Sequence, residues 1–269
     1  MAGRRLARRR GGHGAVRSVD EPLAEREGVA LVRSATAAGL SLRLIGSLAV
    51  RLRCPLHRGM LDALGRRPAR DIDLVGYARD ERAIETLFRA RGYALHPAVK
   101  HSREFGILRL IFVRPDQGLK VDVFLDRLIM AHTIDLAGRL ELDAVTVPLA
   151  DLLLSKLQIH EITENDLLDG AALFAEHELG PGGIDTARIC AVLGDDWGFY
   201  HSVLLNLEKL EAALDRWVPV PEGLADRVRG RITQLRDAIE SAPKSRRWRL
   251  RARIGERIRW YEEVEEVER

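Results

Sequence analysis

The chain has 269 residues, 46% of them hydrophobic and 31% charged, with a formal net charge of +3. That length and apolar share suit one large domain or two small ones with a sizeable core, and exclude a wholly disordered chain. The longest apolar runs, such as VPLADLLL, fall far short of the roughly 20 residues that span a bilayer, so no membrane segment is expected.

The chain opens with MAGRRLARRRGGHGAVR, basic but with no apolar stretch after it, so the reading is of a basic disordered tail over residues 1–20 and a cytoplasmic protein. Six arginines in residues 1–17 and a net +3 in residues 244–269 exceed the total of +3, which leaves an acidic body of −6 between them. Basic ends of this kind suit contact with a polyanion. Cys54 and Cys190 have no CxxC or zinc-type spacing and read as ordinary thiols.

Residues 21–39 read as a helix, with Leu23, Ala30, Leu31, Ala35 and Ala38 at helical spacing and Gly39 as its stop. The strand LRLIG follows and runs into GSLAVRLRC, which places Gly46 and Ser47 at a strand-to-helix turn. A polar stretch leads to the strand DIDLVG, then to a helix near 80–91 with Ile84, Leu87 and Phe88 on one side. GILRLIFVRP and LKVDVFLD read as strands joined by the turn PDQG, and RLELDAVTV as a further short strand.

Beyond Pro148 the pattern becomes helical, at about 149–160, 164–178, 185–193, 196–216, 222–241 and 245–266. Thr163 and Asp166 are spaced as a capping pair for the second of these helices. The fold class is therefore α+β: a small mixed sheet flanked by helices over residues 21–147, then an all-helical half. That half comprises a helical domain at 148–243 and a basic amphipathic helix at 244–269.

The first portion gathers a constellation of polar residues. In an extended strand alternate side chains share a face, so Asp71 and Asp73 point one way while Ile72 and Leu74 point the other. Two carboxylates so close need a cation or open water, and their hard oxygens suit Mg²⁺. Asp122 in VDVFLD supplies a third carboxylate, with Asp126 as the fallback if the strand stays regular. Gly46 and Ser47 at a helix start offer N–H groups and a hydroxyl to a phosphate. The plainer alternatives are surface acids on an edge strand and a tight turn.

Together IGSLAVRLRC, RRPARDIDL and VPLADLLLSKLQIHEITENDLLDGAALF resemble the nucleotidyltransferase superfamily, and within it the abortive-infection, toxin-type branch. The resemblance covers about residues 30–178. It implies two-metal phosphoryl transfer from an NTP, with Asp71, Asp73 and Asp122 holding Mg²⁺ and Asp122 alternatively serving as base. It further implies phosphate contacts from Gly46 and Ser47, Lys156 near the triphosphate, and Asp166 positioning a base or metal-bound water, with Asp169 as the matching second acid. An acceptor at the 3′ end of tRNA or another RNA, and a neighbouring antitoxin partner, belong to the same implication. Two departures stand out: about 25 residues separate Gly46 from Asp71, which reads as a longer loop over the site, and Ala69-Arg70 replace a small hydroxyl residue before DxD. Arg66, Arg67 or Arg70 then become the candidates for phosphate contact. A non-catalytic nucleotide- or partner-binding regulator with the same fold is the rival reading.

His132 and His160 read as structural or solvent-facing, and DDWGFYH at 195–201 as a packing anchor. In the last helix Leu250, Ile254, Ile258, Tyr261 and Val264 form a stripe expected to pack on the body, which leaves Arg246, Arg249, Arg253, Arg257 and Arg259 for RNA contact.

Overall fold

The computed structural model describes residues 21–66, 71–97, 109–218 and 220–263. It is a mixed α+β structure built on a five-stranded mixed sheet. The strands are β1 (Arg43–Ile45), β2 (Ile72–Gly76), β3 (Ala94–Leu95), β4 (Arg109–Arg114) and β5 (Leu119–Leu125), in the order β1-β2-β5-β4-β3. Only the β2–β5 pair is parallel; the other neighbours are antiparallel.

Register decides which residues share a face. Ile45 lies opposite Asp73, Asp73 opposite Asp122, and Asp122 opposite Ile111. The other face carries Leu44, Ile72, Leu74, Val121, Val123, Leu110 and Phe112, all buried. Helices α1 (Glu21–Ala37) and α4 (Glu81–Ala90) accompany it, with Phe88 of α4 stacked on Phe112 at 4.1 Å. Each such fully buried large side chain is worth about 1.5–3 kcal/mol, which locks the register and hence the side on which the acids emerge.

Between Gly46 and Asp71, where a long loop is expected, the chain forms α2 (Gly46–Arg53), a 3₁₀ turn (Pro55–His57) and α3 (Arg58–Ala63). The expected strand RLELDAVTV is instead a series of turns. Asp143 Oδ1 accepts from the N–H groups of Val145 and Thr146, and this local bonding competes with an extended strand. Only its end pairs, with Leu44 N–H donating to Val145 O and Val147 N–H to Leu44 O, which covers the free edge of β1.

After β5 the chain turns at Asp126 (φ 63°) into the hairpin β6 (Arg127–Ile129) and β7 (Thr133–Asp135), which the sequence reading lacks. Then follow α5 (Leu149–Leu157), α6 (Glu164–Glu176), α7 (Thr186–Asp195), α8 (Trp197–Leu214) and α9 (Leu224–Ser241), close to the spacing-based boundaries. One hydrophobic core runs continuously from Ala24 to Ile239. Fully buried Asp151 of α5 ties three segments together, accepting from Arg139 Nε at 2.5 Å and Arg188 Nε at 3.0 Å.

The last helix departs most from expectation. α10 spans only Arg246–Ile254 and stops at Gly255, whose φ of 61° an L residue adopts at a cost. Leu250, Ile254 and Ile258 are 61%, 40% and 59% exposed, so of the expected stripe these three do not pack on the body while Tyr261 does; Val264 lies outside the described residues. Trp260 joins Tyr261 in that contact. Tyr261 stacks on His160 at 3.6 Å, and Trp260 Nε1 donates to Ser202 Oγ at 3.1 Å. His132 stacks on Phe199 and its Nε2 pairs with Ser202 Oγ at 2.8 Å, with burial pushing its pKa down to about 4. These contacts give both histidines and the DDWGFYH segment packing roles. Among the described residues no helix is long and apolar enough to cross a membrane.

Candidate functional site

The site begins at the β1–α2 turn. Gly46 has φ +73°, and a Cβ built there would lie 2.6 Å from Asp73 Oδ2. Both facts demand glycine: the left-handed backbone disfavours a side chain, and the Asp73 carboxylate occupies the space. The first turn of α2 therefore abuts a carboxylate. This helix has no side-chain cap and no acid in its first turn, and Ser47 beside it is half-buried with no side-chain partner among the described residues.

Gly39 offers a matched control, since its φ is +74° but nothing lies within 4 Å of its missing Cβ. Gly46→Ala is expected to destabilise the protein by about 1 kcal/mol more than Gly39→Ala in urea unfolding. In an Asp73→Ala background, which removes the clashing oxygen, the two substitutions should cost the same.

Asp73 and Asp122 face one another across the parallel β2–β5 pair, and half-buried Asp71 precedes β2. Asp73 has its carboxyl pKa pushed up to about 7. Burial is the main cause; the charges of Asp122 and Asp71 add to it, while Lys156 and Arg109 pull it back. Asp122 is 3% exposed. Its Oδ2 is held by Arg109 at 2.8 Å and Lys120 at 3.3 Å, while its Oδ1 is buried with no hydrogen-bond partner. Asp126, the fallback, is not on this face. Its positive φ turns it out of the strand, where Oδ1 accepts from Ala78 N–H at 3.0 Å.

On the helical side, Lys156 of α5 is buried rather than exposed on an amphipathic surface. Its Nζ sits 3.1 Å from Asp166 Oδ1 and 3.0 Å from Asp169 Oδ2, both on α6. Burial lowers its pKa, but Asp169 and Asp166 outweigh that and hold it above the ordinary lysine value. Asp166 is opposed by burial but kept below the usual carboxylate value by Lys156 and by the Thr163 hydroxyl. Thr163 caps α6 as its spacing predicts: its Oγ1 accepts from Asp166 N–H and donates to Asp166 Oδ2 at 2.6 Å. Arg66 does not aim its fork at open space, because Nε and Nη2 donate to the two oxygens of Asp169 at 2.7 and 2.9 Å. Arg67 and Arg70 lie outside the described residues.

The structure thus groups Gly46, Ser47, Asp71, Asp73, Asp122 and Lys156, with Asp166 and Asp169 behind the lysine. Sequence reading missed Arg109, Lys120 and the Arg66–Asp169 bond. Lys120 shares the two-residue period of LKVDV with Asp122, and Arg109 interrupts an apolar run, so both carried a signal.

Whether these residues suit a divalent cation turns on the acids. Among the described residues no three His, Cys, Asp or Glu side chains converge as a metal cage. The orphaned Asp122 Oδ1 and the crowded Asp73 carboxyl nonetheless call for positive charge, and their donors are hard oxygens. Two carboxylates completed by substrate phosphates are an ordinary Mg²⁺ set, so the residues fit such an ion bound together with a polyphosphate. Compared with protein-family models and with curated proteins, the sequence matches none.

Proposed function

We propose that the protein is a Mg²⁺-dependent nucleotidyltransferase that moves a nucleoside monophosphate from an NTP to an acceptor hydroxyl, with an RNA 3′ end as the acceptor class. The observation that carries this reading is the register of Asp73 against Asp122, with the glycine turn of α2 pressed against Asp73. The finer fold reading belongs to the same proposal: a nucleotidyltransferase-like sheet core followed by a helical half. The motifs of the resemblance fall on the elements this chemistry requires, with GS at a strand-to-helix turn and DxD at the start of a strand.

In this reading Asp73 and Asp122 hold the metal with help from Asp71. Bound there, Mg²⁺ supplies charge neutralisation for the triphosphate and for the developing negative charge on the leaving oxygen. The free N–H groups at the start of α2 and the Ser47 hydroxyl donate to phosphate oxygens. Lys156, pinned by Asp166 and Asp169, contributes a fixed positive charge behind Asp73. The acceptor oxygen bonds to the α-phosphorus as the bond to the β-phosphate oxygen breaks, pyrophosphate leaves, and Asp122 accepts the hydroxyl proton.

The test is pyrophosphate release with Mg²⁺, each common NTP and total tRNA, comparing wild type with Asp122→Asn. The expected result is release by wild type, with label in RNA, and a rate lower by on the order of 10²–10³-fold in the variant. A second reading, a nucleotide-binding regulator without turnover, draws on the pairing of Asp122 with both Arg109 and Lys120, which already neutralises it. Nucleotide binding with no pyrophosphate from any mixture would favour that reading.

A further inference from the structure

The proposed chemistry leaves α10 unused, and α10 carries the densest charge in the described structure. Its inner side is anchored: Trp248 sits edge-on to Tyr200 at 5.2 Å, and Arg251 lies over the Trp197 ring at 4.8 Å while donating to the carbonyls of Gly255 and Ile258. The outward side carries Arg246, Arg249 and Arg253, and Arg257 lies beyond Gly255 in the turn that follows. All four are exposed, and among the described residues none has a side-chain partner. Steps of three and four residues align Arg246, Arg249 and Arg253 in one row, with the first and last about 10 Å apart along the axis. Between Lys244 and Arg259 the only acid is Glu256, which is engaged by His201 at 2.8 Å.

The neighbouring groove, about 880 Å³, is the less suitable half of this region. Arg188, Arg247, Arg251 and Arg259 line it, but so do Asp135, Asp195, Asp196 and Glu262. Its Trp197 ring is already engaged by His201, stacked at 4.9 Å, and by Arg251 at 4.8 Å. The row of free arginines on α10 has neither handicap.

We infer that this arginine row binds the phosphate backbone of the RNA acceptor, the choice of RNA among polyanions resting on the nucleotidyltransferase reading. Each planar guanidinium presents a fork that matches a phosphate, and a helix anchored from behind fixes the spacing of the backbone positions that carry them. An anionic membrane fits less well. Leu250 and Ile254 share the outward side with the arginines, whereas a helix lying in a bilayer interface keeps its apolar residues on a face of their own.

The experiment is fluorescence anisotropy of a short labelled RNA hairpin with an unpaired 3′ tail. It is titrated with the full chain over a range of salt concentrations, with neither NTP nor metal present. Arg246→Gln/Arg249→Gln/Arg253→Gln should weaken binding about 10–100-fold near 0.1 M salt and lower the slope of log K against log salt by about 2–3, because each lost phosphate contact removes roughly 0.7–0.9. The corresponding triple Lys variant keeps the charge and should retain the slope, which separates charge from folding. An unchanged slope in the Gln variant would overturn the inference, as would binding to phosphatidylserine vesicles with none to RNA. RNA binding without nucleotidyl transfer would leave this inference standing and defeat the reading of the site. Transfer with unaltered RNA binding by the Gln variant would do the reverse.

Discussion

Asp73→Asn should make the metal-free protein more stable at pH 8 while abolishing nucleotidyl transfer. The Asp73 carboxyl is held up to about 7 by burial and by the Asp122 and Asp71 charges, against an ordinary 3.8. The folded state therefore binds this proton more tightly than the unfolded chain does. Stability from this group is fully present below about pH 4 and is lost as pH rises through about 7, so above 7 the ionised side chain opposes folding. Removing it should recover about 1–3 kcal/mol at pH 8 and almost nothing at pH 4, seen in urea midpoints across that range. The same variant should lower Mg²⁺-dependent transfer by at least on the order of 10³-fold. A residue that helps function and harms the empty fold is expected where carboxylates are gathered to hold a cation. Equal destabilisation of the variant at both pH values would instead make Asp73 a structural residue.

The second large effect is expected at Asp169. This side chain is fully buried and accepts both donors of the Arg66 fork as well as Lys156. Asp169→Ala would strip Arg66 and Lys156, two buried cations, of the carboxylate they share, and breaking one side of a buried ion network in this way costs about 3–5 kcal/mol. Asp166→Ala should cost less, about 1 kcal/mol, because Asp166 is 14% exposed and its removal leaves Lys156 paired with Asp169. Urea unfolding of the two variants at neutral pH checks the order. If Asp166 proves the costlier loss, the lysine is anchored by the wrong acid in this account.

The parts of the fold that were legible in the sequence are those where one local pattern had no competitor. The alternation in DIDLVG and LKVDVFLD placed Asp73 and Asp122 on polar faces, and the parallel register of β2 and β5 then aligned them. GS after a three-residue strand announced the turn, and Thr163 with Asp166 announced a helix start. The failures have equally local causes. RLELDAVTV has strand-like alternation, but Asp143 captures two backbone N–H groups and bends it. The 245–266 pattern continues at helical spacing through Gly255, yet the helix ends at that glycine and leaves Leu250, Ile254 and Ile258 exposed. Asp126 kept an even spacing from Asp122, but spacing says nothing of the turn at φ 63° that removes it from the strand. The Arg66–Asp169 bond joins residues 103 positions apart, a distance over which periodicity carries no information.

The central claim is that Asp73 and Asp122 together hold a divalent cation with the nucleotide, and Mn²⁺ in place of Mg²⁺ makes that directly visible. Electron paramagnetic resonance of free Mn²⁺, titrated with protein plus a non-hydrolysable NTP analogue, measures the bound fraction. The account predicts nucleotide-dependent Mn²⁺ binding by the wild type, lost in Asp73→Asn and Asp122→Asn and retained in the Arg246→Gln/Arg249→Gln/Arg253→Gln variant. Equal Mn²⁺ binding by wild type and both aspartate variants would contradict it.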